Sequence, residues 1–347
     1  MKDSLLTLNE VDKSPRLLGW HSLLSGLATL TLLAILAGFV NWQSVWKELL
    51  TCQKSYVLVG AACHYLTYPL RGMRWRRCLA HLPIGGSIAR FVQVVFFYNF
   101  LDNVVPAKLG DVYAAHLARI NFGIRRSEAI GSIVFTRMLD AWVLLTIALA
   151  ASWLLLSTHL PNPVLWALIG GAAIAMAATL IMLTFFFLDK FPPRWVPNRI
   201  EAMIRAFRNG MWPQAGELLP IFALTAGIWI LETLWIYLLM LGFDVALALD
   251  EVLFLTVIPL LASAFPLTPS GAGVVELTLF SCLRLIGTAA PLAESITLLN
   301  RFIDYWLHIG LGILMWLFRH QLGLHIWRGT AELSFVEQPI LPMKLSK

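Results

Sequence analysis

Residues 99–140 place the tightest limit on how this chain can fold. The stretch is apolar enough to lie in a bilayer, yet it carries Asp102, Asn103, Lys108, Asp111, Arg137 and Asp140, with Pro106 and Gly110 where a helix would otherwise continue. Charged groups and interrupted backbone persist at bilayer depth only where protein or a water-filled cavity surrounds them, so they mark a functional site by default. The pattern returns later. Pro106-Ala-Lys-Leu-Gly110 is echoed by Pro269-Ser-Gly-Ala-Gly273, and Arg137-Met-Leu-Asp140 by Arg301-Phe-Ile-Asp304. Two matched anchors at nearly one offset read as an internal duplication.

Composition decides the solvent. The chain is 59% hydrophobic and 13% charged, with a mean hydropathy of +0.74. A soluble domain carries about a quarter charged residues, so a polytopic membrane protein is expected. The net charge of +6 sits beside apolar segments and forms no stripe on a soluble face, which argues against nucleic acid as a partner. Cys52, Cys63, Cys78 and Cys282 lack metal-ligand spacing, so neither a metal nor a cofactor is expected.

Charge asymmetry then orients the segments. Residues 1–16 read as a cytoplasmic tail, and the apolar segment 17–40 is long enough to span and lacks a small-residue cleavage site. Residues 55–70 return to the basic cluster Arg71, Arg74, Arg76 and Arg77, a cytoplasmic signal. The run 87–119 breaks at Pro106 and ends at further arginines, so both of its ends face the cytoplasm and it reads as a re-entrant hairpin. Residues 127–156 and 164–188 span, and the basic connector 189–217 follows. Within that connector Ile200, Met203, Ile204 and Phe207 recur at helical spacing, fitting either an interfacial helix or a solvated link. Residues 218–241 span, 252–286 form a second hairpin broken at Pro266 and Pro269, and 292–318 span to a cytoplasmic tail, 321–347.

The expected fold is therefore an all-α polytopic membrane protein of two inverted-topology repeats, 17–156 and 157–320. Each has two transmembrane helices, a re-entrant hairpin and a third transmembrane helix, making six spans with both termini cytoplasmic. Arg137 and Arg301 each lie about ten residues into a span, roughly 15 Å deep in a core of about 30 Å. Asp140 and Asp304, three residues on, share a helix face with them and are expected to neutralise them in part, as ligands or as structural clamps. Pro106 and Pro269 suit the first turn of a new helix, and Gly110, Gly271 and Gly273 suit tight hairpin tips. Helices that start at midplane tips present free N–H groups to an anion, and with Arg137, Arg301 and Lys108 they describe a cavity for a phosphate head group. Asp111 and Glu276 have three roles open to them: capping backbone, pairing with the arginines or carrying a coupling proton. Asn103, Asn300, Tyr305 and His308 are weaker candidates.

These motifs, from Asn103-x-x-Pro106-x-x-x-Gly110-Asp111 through Arg137-x-x-Asp140 and Pro269-x-Gly271-x-Gly273-x-x-Glu276 to Arg301 with Tyr305-Trp306, resemble the lysylphosphatidylglycerol synthase transmembrane-region family, also called flippase-like or UPF0104. The resemblance covers about residues 15–320 and departs at Asp111, where glutamate is the commoner residue. It implies a multi-pass bacterial inner-membrane protein related to the lipid-moving part of bifunctional aminoacyl-phosphatidylglycerol proteins. Stand-alone members of the family are associated with polyprenyl-linked sugars or hopanoids. The expectation is a non-enzymatic lipid flippase or scramblase whose partners are phosphate-bearing membrane lipids, and a homo-oligomer is compatible with it. The competing readings are a small-solute or ion transporter and a lipid phosphatase using Ser270 and His308.

Overall fold

The computed structural model describes residues 38, 41–104, 110–156, 162–190, 197–262 and 271–326. The chain is all-helical, with 84% helix and no strand among the described residues. Among the described residues twelve α-helices follow in order: α1 (Trp42–Thr51), α2 (Lys54–Cys78), α3 (Ile88–Val104), α4 (Gly110–Phe122), α5 (Arg126–Leu156), α6 (Asn162–Lys190), α7 (Asn198–Met211), α8 (Ala215–Gly242), α9 (Leu249–Ala262), α10 (Val274–Leu285), α11 (Ala290–Arg301) and α12 (His308–Leu317). Between α11 and α12 the helix widens into a π turn over Phe302–Leu307.

Three of these helices are long and apolar enough to cross a membrane: Arg126–Leu154, Val164–Phe185 and Ala215–Gly242. The expected six are not all of that kind, and polar residues are the reason. Helix α2 runs for 25 residues but carries four arginines between Arg71 and Cys78, and the last helix is divided by its π turn. The expected span 17–40 lies outside the described residues.

Helices α2 and α8 run antiparallel along their whole length. The Gln53 amide reaches Asp244 at one end and Arg77 pairs with Glu217 at the other. Midway, Gly60 lies directly under the Trp235 ring, where a Cβ would come within 2.7 Å. The pair separates two cores. One joins α5, α6, α8, α9 and α10 through residues such as Leu145, Leu168, Leu239, Phe254 and Leu279. The other joins α2, α3 and α4 through Trp75, Phe91, Phe97, Tyr113 and Leu117, and is closed by Leu324 and Ile326.

The segments on either side of each break fold back on one another: α3 packs on α4, and α9 on α10. Helix α3 also packs on α12, where Gly312 lies against Phe100, and α9 packs on α5 and α6. Helix α7 in the connector is protein-packed. Ile204, Phe207 and Met211 are buried and the helix packs on α5 and α6, whereas Ile200 and Met203 stay exposed. Gly131 and Gly210 permit this crossing, because a Cβ on either would collide with the carbonyl of Phe207 or Glu128. At the start of α5, Glu128 accepts from the Arg125 backbone and guanidinium, and that hydrogen bonding holds the guanidinium above its usual range.

Candidate functional site

Each break is followed by a helix whose first turn carries an acid, and each acid meets an arginine from a later helix. Helix α4 opens at Gly110, packed so closely on Asp102 and the Tyr98 carbonyl that a side chain would not fit. Asp111 follows and accepts two bonds from Arg137, at 2.8 Å from Nη2 and 3.3 Å from Nε. Helix α10 opens after Gly273, whose φ of 85° lies in the left-handed region, as does the 66° of Gly271. Glu276 turns back to accept from the Gly273 N–H at 2.8 Å, and its other oxygen lies 2.8 Å from Arg301 Nε. The Arg301 guanidinium also lies 4.1 Å above the Tyr305 ring.

The two arginine sites are in unequal states. The Arg137 side chain is 41% exposed and that of Arg301 is 5% exposed. Arg137 also lines a small polar cavity of about 20 Å³ with Arg71, Arg74, Tyr98, Thr136 and Asp140. Three guanidinium groups thus converge on a space the size of one water, a collection stable only because carboxylates are interleaved with them.

Asp140 does not pair as its spacing suggests, and Asp304 shares itself between the expected Arg301 and His64. Asp140 takes Arg74 in a bidentate bridge, at 2.6 and 2.8 Å, and Arg74 donates onward to Thr225 on α8. Asp304 lies 4.0 Å from Arg301 but 3.4 Å from His64 Nε2. The physical reason is competition: an α-helical i,i+3 neighbour is held at a fixed distance, whereas α2 offers donors that reach across. The wider π turn after Arg301 changes the angular step for Asp304 as well.

Sequence reasoning overlooked the donors that complete this network. Arg71 and Arg74 stood in the basic cluster read as a cytoplasmic signal, but Arg74 is buried and Arg71 reaches Glu232 at 3.0 Å. Glu232 also meets His64 Nδ1 at 3.0 Å. The mark of both was an ionisable residue in the middle of an apolar run. From Asp111 the ionic residues pass through Arg137, the polar cavity, Arg74 with Asp140, Arg71 with Glu232, and His64 with Asp304 to Arg301 and Glu276.

Aromatic and amide groups frame the track. The Tyr305 hydroxyl donates to the Asn103 carbonyl at 3.0 Å, tying the π turn to the end of α3. Asn300 accepts from the Trp235 indole, and His308 meets the Tyr68 hydroxyl at 2.8 Å. Pro106, Lys108, Pro269 and Ser270 lie outside the described residues.

Residues 22–312 match the family described as the lysylphosphatidylglycerol synthase TM region. A UPF0104 membrane protein of Methanocaldococcus jannaschii is 29% identical over 218 residues, covering 62% of this chain and 92% of that protein. Another, from Pyrococcus horikoshii, is 21% identical over 311 residues, 81% of this chain and 92% of that protein. Glycosyltransferase AglD of Haloferax volcanii is 26% identical over 135 residues, 39% of this chain and 21% of that protein. No solved structure matches the chain significantly. These matches support a multi-pass membrane protein; the relatives are archaeal and assign no bacterial inner membrane. They also correct the expectation of a non-enzyme. The matching family is named for a synthase and one relative for a glycosyltransferase, which weighs, if only weakly, toward lipid modification.

Proposed function

Because the chain belongs to the lysylphosphatidylglycerol synthase TM region family, we propose that it moves a phosphate-bearing lipid across the membrane by alternating access at a midplane site. The lipid class is a phospholipid, an aminoacyl-phospholipid or a polyprenyl-phosphate-linked lipid. The observation that carries this reading is the unequal state of the two arginines, Arg137 accessible and Arg301 sealed beneath Glu276 and Tyr305. A transporter with two inverted halves has one arm of its site open and the other closed in each end state. A phosphate oxygen pair can accept from the Arg137 fork as the Asp111 carboxylate does, so it can take the place of Asp111, whose carboxylate is then released from Arg137. The N-terminus of α4 beside it adds the positive end of a helix dipole.

In this reading 17–156 and 157–320 are the inverted halves, α3–α4 and α9–α10 are re-entrant hairpins, and the basic end of α2 faces the cytoplasm together with both termini. The antiparallel pairing of α2 with α8 supports the arrangement, since these are corresponding helices of the two halves. So does the packing of each hairpin on the final helix of the opposite half, α3 on α12 and α9 on α5.

The test is head-group translocation in proteoliposomes with fluorescent phospholipids and a polyprenyl phosphate, comparing wild type with Arg137→Ala and Arg301→Ala. Wild type moves at least one lipid, and each variant loses that movement while still eluting as a folded species. A wild type that moves none of the panel refutes the reading, and normal transport by both variants refutes the site. A second reading, a part in lipid modification, is favoured by the match to Glycosyltransferase AglD. Mass spectrometry of the lipids recovered from the same vesicles decides it, because a covalent product has a new mass.

A further inference from the structure

At His64 carboxylates of two different helices face the two nitrogens of a single ring. It lies about ten residues into α2, roughly 15 Å from that helix's start, and is buried. From α8, Glu232 Oε2 meets Nδ1 at 3.0 Å; from the π turn, Asp304 Oδ1 lies 3.4 Å from Nε2. The other neighbours are Arg71 on the same helix, held at 3.0 Å by Glu232, the rings of Tyr65 and Tyr68, and Trp235 of α8 at 6.4 Å between ring centroids. His308 of α12 touches the group through the Tyr68 hydroxyl.

A neutral imidazole has one donor and one acceptor nitrogen, so it can serve only one of two carboxylates. The Nε2 atom makes no hydrogen bond here, although Asp304 is within reach. Charge points the same way. Glu232, Asp304 and Glu276 face Arg71 and Arg301, so three buried or half-buried acids meet two cations, and a protonated imidazole brings the set to neutrality.

We infer that His64 is the binding site of a coupling proton, whose occupancy is linked to phosphate at Arg301 through Asp304. This rests on the lipid-transport reading for its coupling, though not for the proton site itself. Asp304 is shared, 3.4 Å from His64 and 4.0 Å from Arg301. A phosphate that takes Arg301 removes the cation from Asp304, which then closes on Nε2 and favours the ring carrying its second proton. The proton adds to the Nε2 lone pair and no other bond changes. The π turn beneath Asp304 is the element that can change register as it moves.

Two measurements test this. In proteoliposomes the wild type transports lipid several-fold faster with an imposed pH difference of about 2 units than without one, following the midrange titration of imidazole. His64→Gln and Asp304→Asn transport at one rate in both conditions. A wild type that moves lipid indifferently to the gradient, or a His64→Gln protein that keeps the acceleration, overturns the inference and leaves lipid transport standing. Independently of transport, tryptophan emission of the purified protein shows a pH-dependent step, absent in His64→Gln and in Trp235→Phe. If His64→Gln does not fold, Asp304→Asn and Trp235→Phe carry the comparison. No step in the wild type overturns the proton site whether or not lipid moves.

Discussion

The Arg74–Asp140 bridge is the most rigid element of the polar track, and its removal has a calculable outcome. The two side chains are 5% and 11% exposed, with both oxygens of the carboxylate engaged at 2.6 and 2.8 Å. Asp140→Asn leaves the Arg74 guanidinium charged and buried with no countercharge from Asp140, held by Thr225 and a single amide oxygen. Removing one member of a buried pair costs about 3–5 kcal/mol, whereas replacing both with apolar residues of similar volume is close to neutral or stabilising. Asp140→Asn and Arg74→Met are therefore each expected to lose about 3–5 kcal/mol, between about two and three and a half powers of ten in the folded-to-unfolded ratio. With Asp140→Leu as the second single variant, expected to lose as much as Asp140→Asn, the Arg74→Met/Asp140→Leu double variant recovers most of either loss, giving a coupling energy of about 5 kcal/mol or more. The assay is unfolding by SDS titration in mixed micelles, followed by helical circular dichroism. Single variants within about 1 kcal/mol of wild type, or a double variant whose loss is the sum of the singles, refute the reasoning.

Two further outcomes follow from the geometry. Gly131→Ala drives a methyl group into the Phe207 carbonyl, forcing α7 away from α5. The same SDS titration is expected to show a loss of at least about 1–3 kcal/mol, and a neutral result means that the helices do not cross there. Glu201→Gln breaks only the Arg205 pair, whose arginine is 62% exposed, and should change stability by less than about 1 kcal/mol, with a smaller effect as salt is raised.

The membrane class was legible because burial in lipid requires apolar composition, whereas proline alone was an ambiguous signal, since Pro69, Pro220 and Pro259 stand inside helices without ending them. Gly110 shows the limit of that reading: its position was evident, but the closeness of Asp102 and Tyr98 that requires glycine there is a tertiary fact. Arg74 is a sharper case. In sequence it resembles Arg76 and Arg77, yet in a helix Arg71 and Arg74 lie three residues apart on the face toward α8 and α5, while Arg76 is exposed and Arg77 reaches Glu217 of α8 only at the exposed end of the pair. Periodicity within the cluster was a usable signal; the choice of Asp140 as partner was not, since it depends on how α2 and α5 cross. Glu232 and His64 stood out as ionisable groups in apolar helices and were passed over. The π turn had no herald, since neither proline nor glycine lies within Phe302–Leu307.

The core around the first hairpin also has a consequence for how the chain is made. Residues of α3 and α4 wait for Ile309, Met315, Leu324 and Ile326 to complete their packing. At roughly 5–20 residues per second, the ribosome delivers those side chains about 10–40 s after Phe122. During that interval Asp111 would sit in a half-built bundle. Its neutralising partner arrives far sooner, because Arg137 is only 26 residues downstream. The local ion pair can therefore form well before the last residues of the bundle complete the core. Truncation near residue 308 should leave an inserted hairpin that the cell's membrane proteases recognise as unfinished.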